Sequence, residues 1–140
     1  KKPTTKFSLN IFPNALKDIY TVTNDTLNFN LETLDIEDYG SITMDISNPD
    51  NKNLLVELLV GKNNQLVTRQ IISDSEKVTF DLLPPGNYTI RAIVDENRNN
   101  KWDTGNVLKW LLPERIIYHP TINQAELRAN YFLEETFTIE

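Results

Sequence analysis

Three observations in the sequence predict an all-β protein, built as a sandwich or a barrel of antiparallel strands. Apolar and polar residues alternate with a period of two in many short runs, which is the pattern of a strand buried on one face. Turn-forming residues separate these runs at spacings of roughly ten residues. Helical patterns do not intervene between the runs, and this excludes a parallel α/β sheet.

The strands follow one another along most of the chain. The run from Leu54 to Val60 is apolar almost throughout, which is typical of a central strand covered on both faces. The other predicted strands cover residues 6–11, 27–31, 41–46, 66–72, 77–83, 88–94, 107–112, 115–118 and 125–139.

Turns and one short helical segment are predicted between these strands. Asn, Asp, Gly and Pro cluster at residues 48–51, 61–64 and 84–87, where they favour reversals of the chain. Residues 13–18 are predicted to form a single helical turn, because Pro13 and Asn14 are residue types that begin helices.

A domain boundary is predicted at residues 35–40. Asp35, Glu37 and Asp38 crowd three acidic side chains into four positions, and Gly40 closes the segment. Two strands precede this point, and two strands cannot hold a core alone. We therefore expect residues 1–36 either to pack on the following domain or to be a remnant of a preceding domain or linker strands, and residues 37–140 to form the β-sandwich domain.

The composition is that of a folded domain without affinity for polyanions. The chain has 140 residues, of which 39% are hydrophobic and 24% charged, an ordinary balance for a domain with a buried core. Its net charge of −6 provides no attraction for nucleic acid or for an anionic membrane surface. Cysteine is absent, which excludes disulfides and thiolate chemistry. No apolar run approaches the ~18 residues of a membrane-spanning segment.

Three segments of the chain resemble a known family and the domain that precedes it. Leu83-Pro84-Pro85-Gly86-Asn87-Tyr88 lies between two strands and resembles the Leu-x-Pro-Gly-x-Tyr signature of transthyretin-like (prealbumin-like, Cna-B-like) sandwich domains. Residues 95–106 look like the Asp-x-Asn-x-Asn-Gly-x-Trp-Asp-x-Gly-Glu loop common in Bacteroidetes surface lipoproteins. A bacterial Ig-like domain precedes such a domain in those proteins, and residues 12–27 are similar to its closing hairpin.

The resemblance implies both an architecture and a role. It implies a prealbumin-like or Ig-like Greek-key sandwich, with residues 1–36 as the end of a preceding Ig-like domain. It implies a non-catalytic structural or adhesion module of a cell-surface lipoprotein, located at the cell surface, outer membrane or periplasm. A lipid anchor in the full-length protein and cell-envelope proteins or glycans as partners are then expected. The alternative is a carbohydrate- or protein-binding adhesin domain that uses the region of residues 95–110.

The same loop has the spacing of a calcium site. Alternate oxygen-bearing residues of a tight loop point at one centre, and positions 1, 3, 5, 7, 9 and 12 of such a loop are here occupied by Asp95, Asn97, Asn99, Lys101, Asp103 and Asn106. Lys101 would offer only its carbonyl, Asn106 replaces the usual bidentate glutamate, and Asn100 replaces a glycine, although asparagine tolerates positive φ. Weak binding is predicted, ~10⁻⁴ M or poorer. The alternative is a loop whose Asp and Asn side chains bond its own backbone.

Trp102 and Trp110 are the candidate ligand-binding residues. Exposed coplanar rings would suit stacking on a sugar, whereas buried rings would anchor the loop to the sandwich. Exposure of both rings in one plane therefore favours the adhesin interpretation, and burial of both favours a spacer.

The remaining polar residues do not form a constellation typical of an enzyme. His119, the only histidine, is expected to be an ordinary surface or turn residue. Glu134 and Glu135 are adjacent on a predicted strand, so they point to opposite faces and cannot flank one bond. Glu57 and Arg128 each interrupt an apolar run and are expected to form a cross-strand pair or to protect strand edges. We therefore expect a protein that is not an enzyme.

Overall fold

The computed structural model describes residues 4–33 and 35–139. The chain divides into two compact units, Lys1–Ile36 and Glu37–Glu140. Strands dominate both units, and no α-helix occurs in the described residues. The prediction of an all-β sandwich is confirmed.

The first unit is a two-stranded antiparallel hairpin of β1 (Lys6–Ile11) and β2 (Leu27–Glu32). Its register places apolar residues opposite each other in the pairs Phe7–Leu31, Leu9–Phe29 and Ile11–Leu27. Alternate residues of a strand point to opposite faces, so these pairs share one face of the hairpin. Phe7, Leu9, Phe29 and Leu31 are all exposed on it.

The helical turn predicted at residues 13–18 is wrong. The Asp18 carboxylate accepts hydrogen bonds from the backbone N–H groups of Tyr20 (2.9 Å) and Val22 (2.8 Å). The Asn24 side chain accepts one from Leu16 N (2.7 Å) and donates to Phe12 O (2.9 Å). Asp and Asn thus bond local backbone groups and stabilise turns in place of a helix.

The second unit contains two sheets. One has the strand order β6-β3-β9 and the other β5-β4-β7-β8. The strands are β3 (Gly40–Ser47), β4 (Leu54–Val60), β5 (Gln65–Ile72), β6 (Glu76–Leu83), β7 (Gly86–Val94), β8 (Ile116–Leu127) and β9 (Phe132–Thr138). The chain crosses between the sheets after β3, β5, β6 and β8. Most pairs are antiparallel, as predicted for the sandwich, but β9, the last strand of this unit, pairs in parallel with β3, its first strand.

The core lies between these two sheets. β3 contributes Ile42, Met44 and Ile46, which alternate with less buried residues as the period of two predicts. From the other sheet, alternate residues of β4 and β7 meet them. These residues are Leu54, Val56, Leu58, Tyr88, Ile90, Ala92 and Val94. The turn into β7 is secured by Tyr88, whose hydroxyl donates to Pro84 O at 2.7 Å, and burial raises the pKa of Tyr88.

Two predicted strands at the end of the chain differ from the structure. Residues 107–112 form a short 3₁₀ turn, Val107–Lys109, and a loop. The predicted strand 125–139 is divided by a turn near Asn130, whose φ is 52°, so its first residues end β8 and the rest form β9. The pairing of β8 with β7 shifts register between Tyr118 and Asn123, and such an irregularity lets Pro120 lie inside a strand.

His119 was predicted to be a surface or turn residue, and this is wrong. Its side chain is buried and packs edge-on against Phe137, with ring centroids 5.0 Å apart. Nδ1 accepts the backbone N–H of Ile122 at 3.0 Å, and Nε2 lies 3.1 Å from the carbonyl of Thr136. Since Nδ1 is an acceptor, the proton belongs on Nε2. His119 therefore connects the irregular part of β8 to β9 of the opposite sheet.

Glu57 lies at the centre of the outer face of the four-stranded sheet and is only 1% exposed. Its carboxylate accepts hydrogen bonds from Arg69 of β5 (Nε, 2.9 Å) and Arg91 of β7 (Nε, 2.7 Å). Burial opposes the charge of Arg91, but hydrogen bonds with Tyr118 and Glu57 outweigh it and raise the pKa of Arg91. Glu57 and Arg128 do not pair with each other: Glu57 forms its cross-strand pairs with two other arginines, and Arg128, just beyond the end of β8, contacts Glu126.

Truncation of Glu57 should be among the most damaging single substitutions. Glu57→Ala leaves Arg69 and Arg91 without their shared carboxylate, and breaking a buried ion pair costs about 3–5 kcal/mol. Urea denaturation would measure the free energy of unfolding. The matched control is Glu134→Ala, which removes an exposed pair with Lys77 and should cost less than about 1 kcal/mol. Similar losses in the two variants would contradict the role given to Glu57.

Candidate functional site

The loop between β7 and β8 begins at a buried carboxylate. Asp95 follows the last residue of β7 and is 1% exposed. Its two oxygens accept hydrogen bonds from the backbone N–H groups of Asn99 (3.1 Å) and Asn100 (2.8 Å) and from the Asn53 amide (3.1 Å). Asp95 therefore holds the first turn of the loop against the segment that precedes β4.

The next polar residues of the loop bond one another. The side-chain amides of Asn97 and Asn99 both donate to the Asp103 carboxylate, the latter at 2.8 Å. The amide oxygens in turn accept backbone N–H groups, from Asn99 to Asn97 (3.0 Å) and from Lys101 to Asn99 (2.8 Å). Asn100 occupies the position where the calcium-type loop has glycine, and it adopts a left-handed conformation with φ 61°. Asparagine therefore accommodates the sharp turn at this position.

The structure brings together four of the six residues predicted to bind calcium. Asp95, Asn97, Asn99 and Asp103 are linked through the bonds described above. Lys101 contributes its N–H to that network, and Asn106 instead caps the 3₁₀ turn by accepting from Lys109 N at 3.2 Å.

The donor set fits calcium only in part. The carboxylate and amide oxygens are hard ligands, but Asn97 and Asn99 direct nitrogen, not oxygen, at Asp103. A cation there would require both amides to rotate by half a turn, which exchanges O and N. Within residues 4–33 and 35–139, no group of three or more His, Cys, Asp or Glu side chains is arranged to hold a metal ion.

Glu114 is the residue of this loop that sequence reasoning missed. Its carboxylate accepts the backbone N–H groups of Glu96 (3.1 Å) and Asp103 (3.0 Å). Its own N–H donates to Asp103 O at 3.0 Å. Glu114 thus ties the returning arm of the loop to the outgoing arm. Glu114 lies beyond residues 95–106, the segment that matches the calcium-type spacing. The spacing of the sequence therefore could not identify it.

The far end of the loop is closed and apolar, and we call residues Val107–Leu112 the apolar tip. Two backbone hydrogen bonds close it, from Asn106 N to Leu111 O (2.9 Å) and from Leu111 N to Asn106 O (3.0 Å). Its hydrophobic side chains are all exposed: Val107, Leu108, Trp110, Leu111 and Leu112. The sequence predicted a strand at residues 107–112, but the segment forms a closed turn with its hydrophobic side chains in solvent.

The two tryptophans have different environments. Trp102 is 42% exposed, and its indole N–H donates to Glu114 O at 3.0 Å, an anchoring contact. Trp110 is 93% exposed and has a left-handed backbone conformation with φ 55°. Trp102 therefore holds the loop together, whereas Trp110 is presented to solvent.

A concavity of about 370 Å³ lies beside the apolar tip. Its lining combines carboxylates, amides and apolar side chains: Glu96, Asn97, Asp103, Thr104, Gly105, Asn106, Leu111, Leu112 and Glu114. Asp103 and Glu114 already accept hydrogen bonds from the loop, so they maintain its shape. Such a mixed lining is suited to binding a polar molecule with an apolar face.

Fold and site together define a class: an all-β sandwich that carries a self-bonded loop with an exposed apolar tip. A family model described as "Uncharacterized protein conserved in bacteria (DUF2141)" matches residues 36–109, more than half of the chain. The chain belongs to this family. The matched region runs from the junction of the two units through β7 into the apolar tip. No curated protein and no solved structure matches the chain.

The described part of the chain contains no helix that is both long and apolar enough to cross a membrane.

Substitution of Gly105 should disrupt the closure of the loop. Gly105 has φ 77°, and a Cβ there would lie 2.6 Å from Pro113 N and 2.7 Å from Leu111 O. Gly105→Ala combines left-handed strain of about 1–2 kcal/mol with an overpacking cost of about 1–3 kcal/mol. Hydrogen exchange of the Asn106 and Leu111 amides should accelerate, because their mutual bonds open.

Gly61→Ala is the matched control for that steric contact. Gly61 has a similar φ of 71°, but a Cβ there would meet nothing within 4 Å. Thermal denaturation should show only the backbone strain in this variant. Equal destabilisation by the two substitutions would mean that the contact with residues 111–113 is unimportant.

Proposed function

We propose that this protein is a non-catalytic structural or adhesion module of a bacterial cell-surface lipoprotein, with residues 95–112 as its contact region. The observation that carries the proposal is Trp110, 93% exposed at the tip of a loop closed by its own hydrogen bonds. Exposed apolar clusters on folded proteins mark surfaces of interaction. Loops on a stable scaffold are also where binding residues concentrate.

The location rests on the resemblance of residues 83–88 and 95–106 to transthyretin-like domains of Bacteroidetes surface lipoproteins. The crossings between the two sheets and their strand orders support the prealbumin-like Greek-key part of that resemblance. On this proposal the full-length protein carries a lipid anchor and lies outside the cytoplasm. Cell-envelope proteins or glycans are its partners.

We further propose that residues 1–36 are the C-terminal remnant of a preceding Ig-like domain. The support is the apolar face shared by β1 and β2, on which Phe7, Leu9, Phe29 and Leu31 are exposed. Two-stranded hairpins are marginally stable alone, and a sheet with one apolar face normally packs it against another layer. The other strands of an Ig-like domain would supply that layer.

A second candidate function is a carbohydrate- or protein-binding adhesin domain. The exposure of Trp110, which precedes the lining residue Leu111 of the concavity of about 370 Å³ in the chain, favours it. An indole face and the nearby carboxylates and amides are the groups with which proteins recognise sugars, by stacking and by hydrogen bonding. Trp102 is tied to Glu114 and would support the loop without contacting a ligand.

Labelling of intact cells tests the location. An epitope inserted after Lys62, in the exposed turn between β4 and β5, should be accessible to antibody on whole cells of the native bacterium. Loop tips of this kind tolerate insertion. A cytoplasmic protein with the same epitope is the control and should be labelled only after lysis. Labelling of both proteins only after lysis would contradict the cell-surface proposal.

We also propose that calcium stabilises the loop through Asp95, Asn97, Asn99 and Asp103. With a dissociation constant of ~10⁻⁴ M, 10 mM calcium should add about 2.7 kcal/mol to the free energy of unfolding. Thermal denaturation should then show a melting temperature that rises with calcium and not with sodium. Asp103→Asn should abolish the rise. An unchanged melting temperature in the unmodified protein would refute calcium binding.

A further inference from the structure

We infer that the apolar tip inserts into the boundary between headgroups and acyl chains of a phospholipid bilayer. This inference deepens the proposed function, since it names the partner of the same contact region and rests on a location near a membrane. The shape, the charge and the support of the apolar tip all favour this partner.

The shape of the apolar tip is that of a projection. Leu108 and Trp110 are each 93% exposed, and Val107 and Leu112 are each 89% exposed. Val107, Leu108 and Trp110 lie within the turn closed between Asn106 and Leu111. Leu112 follows this turn and also lines the concavity. The high exposure of all four side chains means that the apolar tip projects into solvent. A convex apolar projection can be buried in one of two ways: in a matching cavity of another protein, or in the apolar interior of a lipid bilayer.

The charge of the apolar tip distinguishes these two partners. The chain has 20 acidic residues, but the segment Gly105–Pro113 contains none and carries one basic residue, Lys109. A protein cavity that enclosed the projection would have to desolvate the ammonium group of Lys109 in its middle, which is costly without a buried acid. At a bilayer surface, Lys109 can extend its stem along apolar neighbours and place its ammonium at the phosphates.

Trp110 has the chemistry of the same boundary. Tryptophan is enriched where membrane and water meet, because its ring is apolar and its N–H is a hydrogen-bond donor. Leu108 and Leu112 supply the purely apolar part on either side of it. The net charge of −6 opposes anionic lipids, so apolar burial drives the association and zwitterionic lipids are the expected surface.

The support of the apolar tip reduces the cost of insertion. Asn106 caps the 3₁₀ turn, and Trp110 N donates to Val107 O at 3.2 Å. The Glu114 carboxylate and the Trp102 indole hold the two arms of the loop below it. A projection that is already ordered loses little conformational freedom on binding. A single insertion gives weak, reversible association, and a lipid anchor on the same chain would provide the second signal that stable attachment needs.

Vesicle binding tests the inference with Trp110 as the reporter. With phosphatidylcholine vesicles, Trp110→Phe, which keeps the Trp102 indole that supports the loop, should show little shift, whereas the emission of the unmodified full chain should shift to the blue. Lipids brominated near the top of the acyl chain should quench it. Sedimentation with vesicles should give a partition coefficient that is insensitive to salt, since apolar burial is not screened.

The variant Leu108→Ser/Leu112→Ser should lower that partition coefficient at least tenfold at an unchanged melting temperature, because both side chains are exposed. The control Leu66→Ser/Phe132→Ser removes exposed apolar side chains of β5 and β9 and should bind as the unmodified chain does. No blue shift up to millimolar lipid, or equal losses in the two double variants, would overturn the inference.

A further arm separates this inference from the proposed function. Binding to intact bacterial cells or to purified envelope glycans would be compared for the unmodified chain and Trp110→Ala. Suppose that Trp110→Ala loses binding to cells or glycans and that the unmodified chain does not bind vesicles. This result overturns the lipid inference but supports residues 95–112 as a contact region. If Trp110→Ala changes neither vesicle nor cell binding, both proposals fall.

Discussion

The burial of β4 on both faces is the constraint on which the rest of the second unit depends. Leu54 to Leu59 are all buried, although alternate residues of a strand point in opposite directions. Its inner side chains meet the opposite sheet. The outer ones need other cover, and Glu57 among them needs opposite charge, because a buried carboxylate without a partner is strongly unfavourable. Placing β4 between β5 and β7 supplies both Arg69 and Arg91.

The same arrangement positions the functional loop. Arg69 uses Nη1 to donate to Asn100 O at 3.0 Å, so the group that neutralises Glu57 also holds the first turn of the loop. Asp95 adds the connection to Asn53, next to β4. The loop is therefore bonded at its base to residues in and next to the most buried strand of the unit, while the backbone hydrogen bonds of its far end join Asn106 to Leu111 and Trp110 to Val107. Because the base of the loop is held by the sheet, the apolar tip can stay exposed at its far end without destabilising the fold.

The strands were predictable where local pattern and tertiary environment agree. The bounds predicted for β4 match the structure, and the alternating burial of β3 follows the period of two. The pattern failed where apolar residues serve another purpose. Residues 107–112 were predicted to form a strand, because hydrophobicity alone does not distinguish side chains that are buried from side chains that are exposed to solvent. His119 was predicted to be a surface or turn residue because Pro120 follows it. Both residues lie within β8, where its pairing with β7 is irregular.

The sequence by itself determined the all-β class and the position of the acidic segment near Ile36. It also determined that the Asp and Asn side chains between Asp95 and Asp103 can form hydrogen bonds within their own loop. These depend on periodicity, composition and spacing, which are local properties. Only the tertiary structure decided that β9 runs parallel to β3, that Glu57 pairs with Arg69 and Arg91, and that Glu114 closes the loop. Each of these joins residues distant along the chain, so its energy depends on how the two sheets come together.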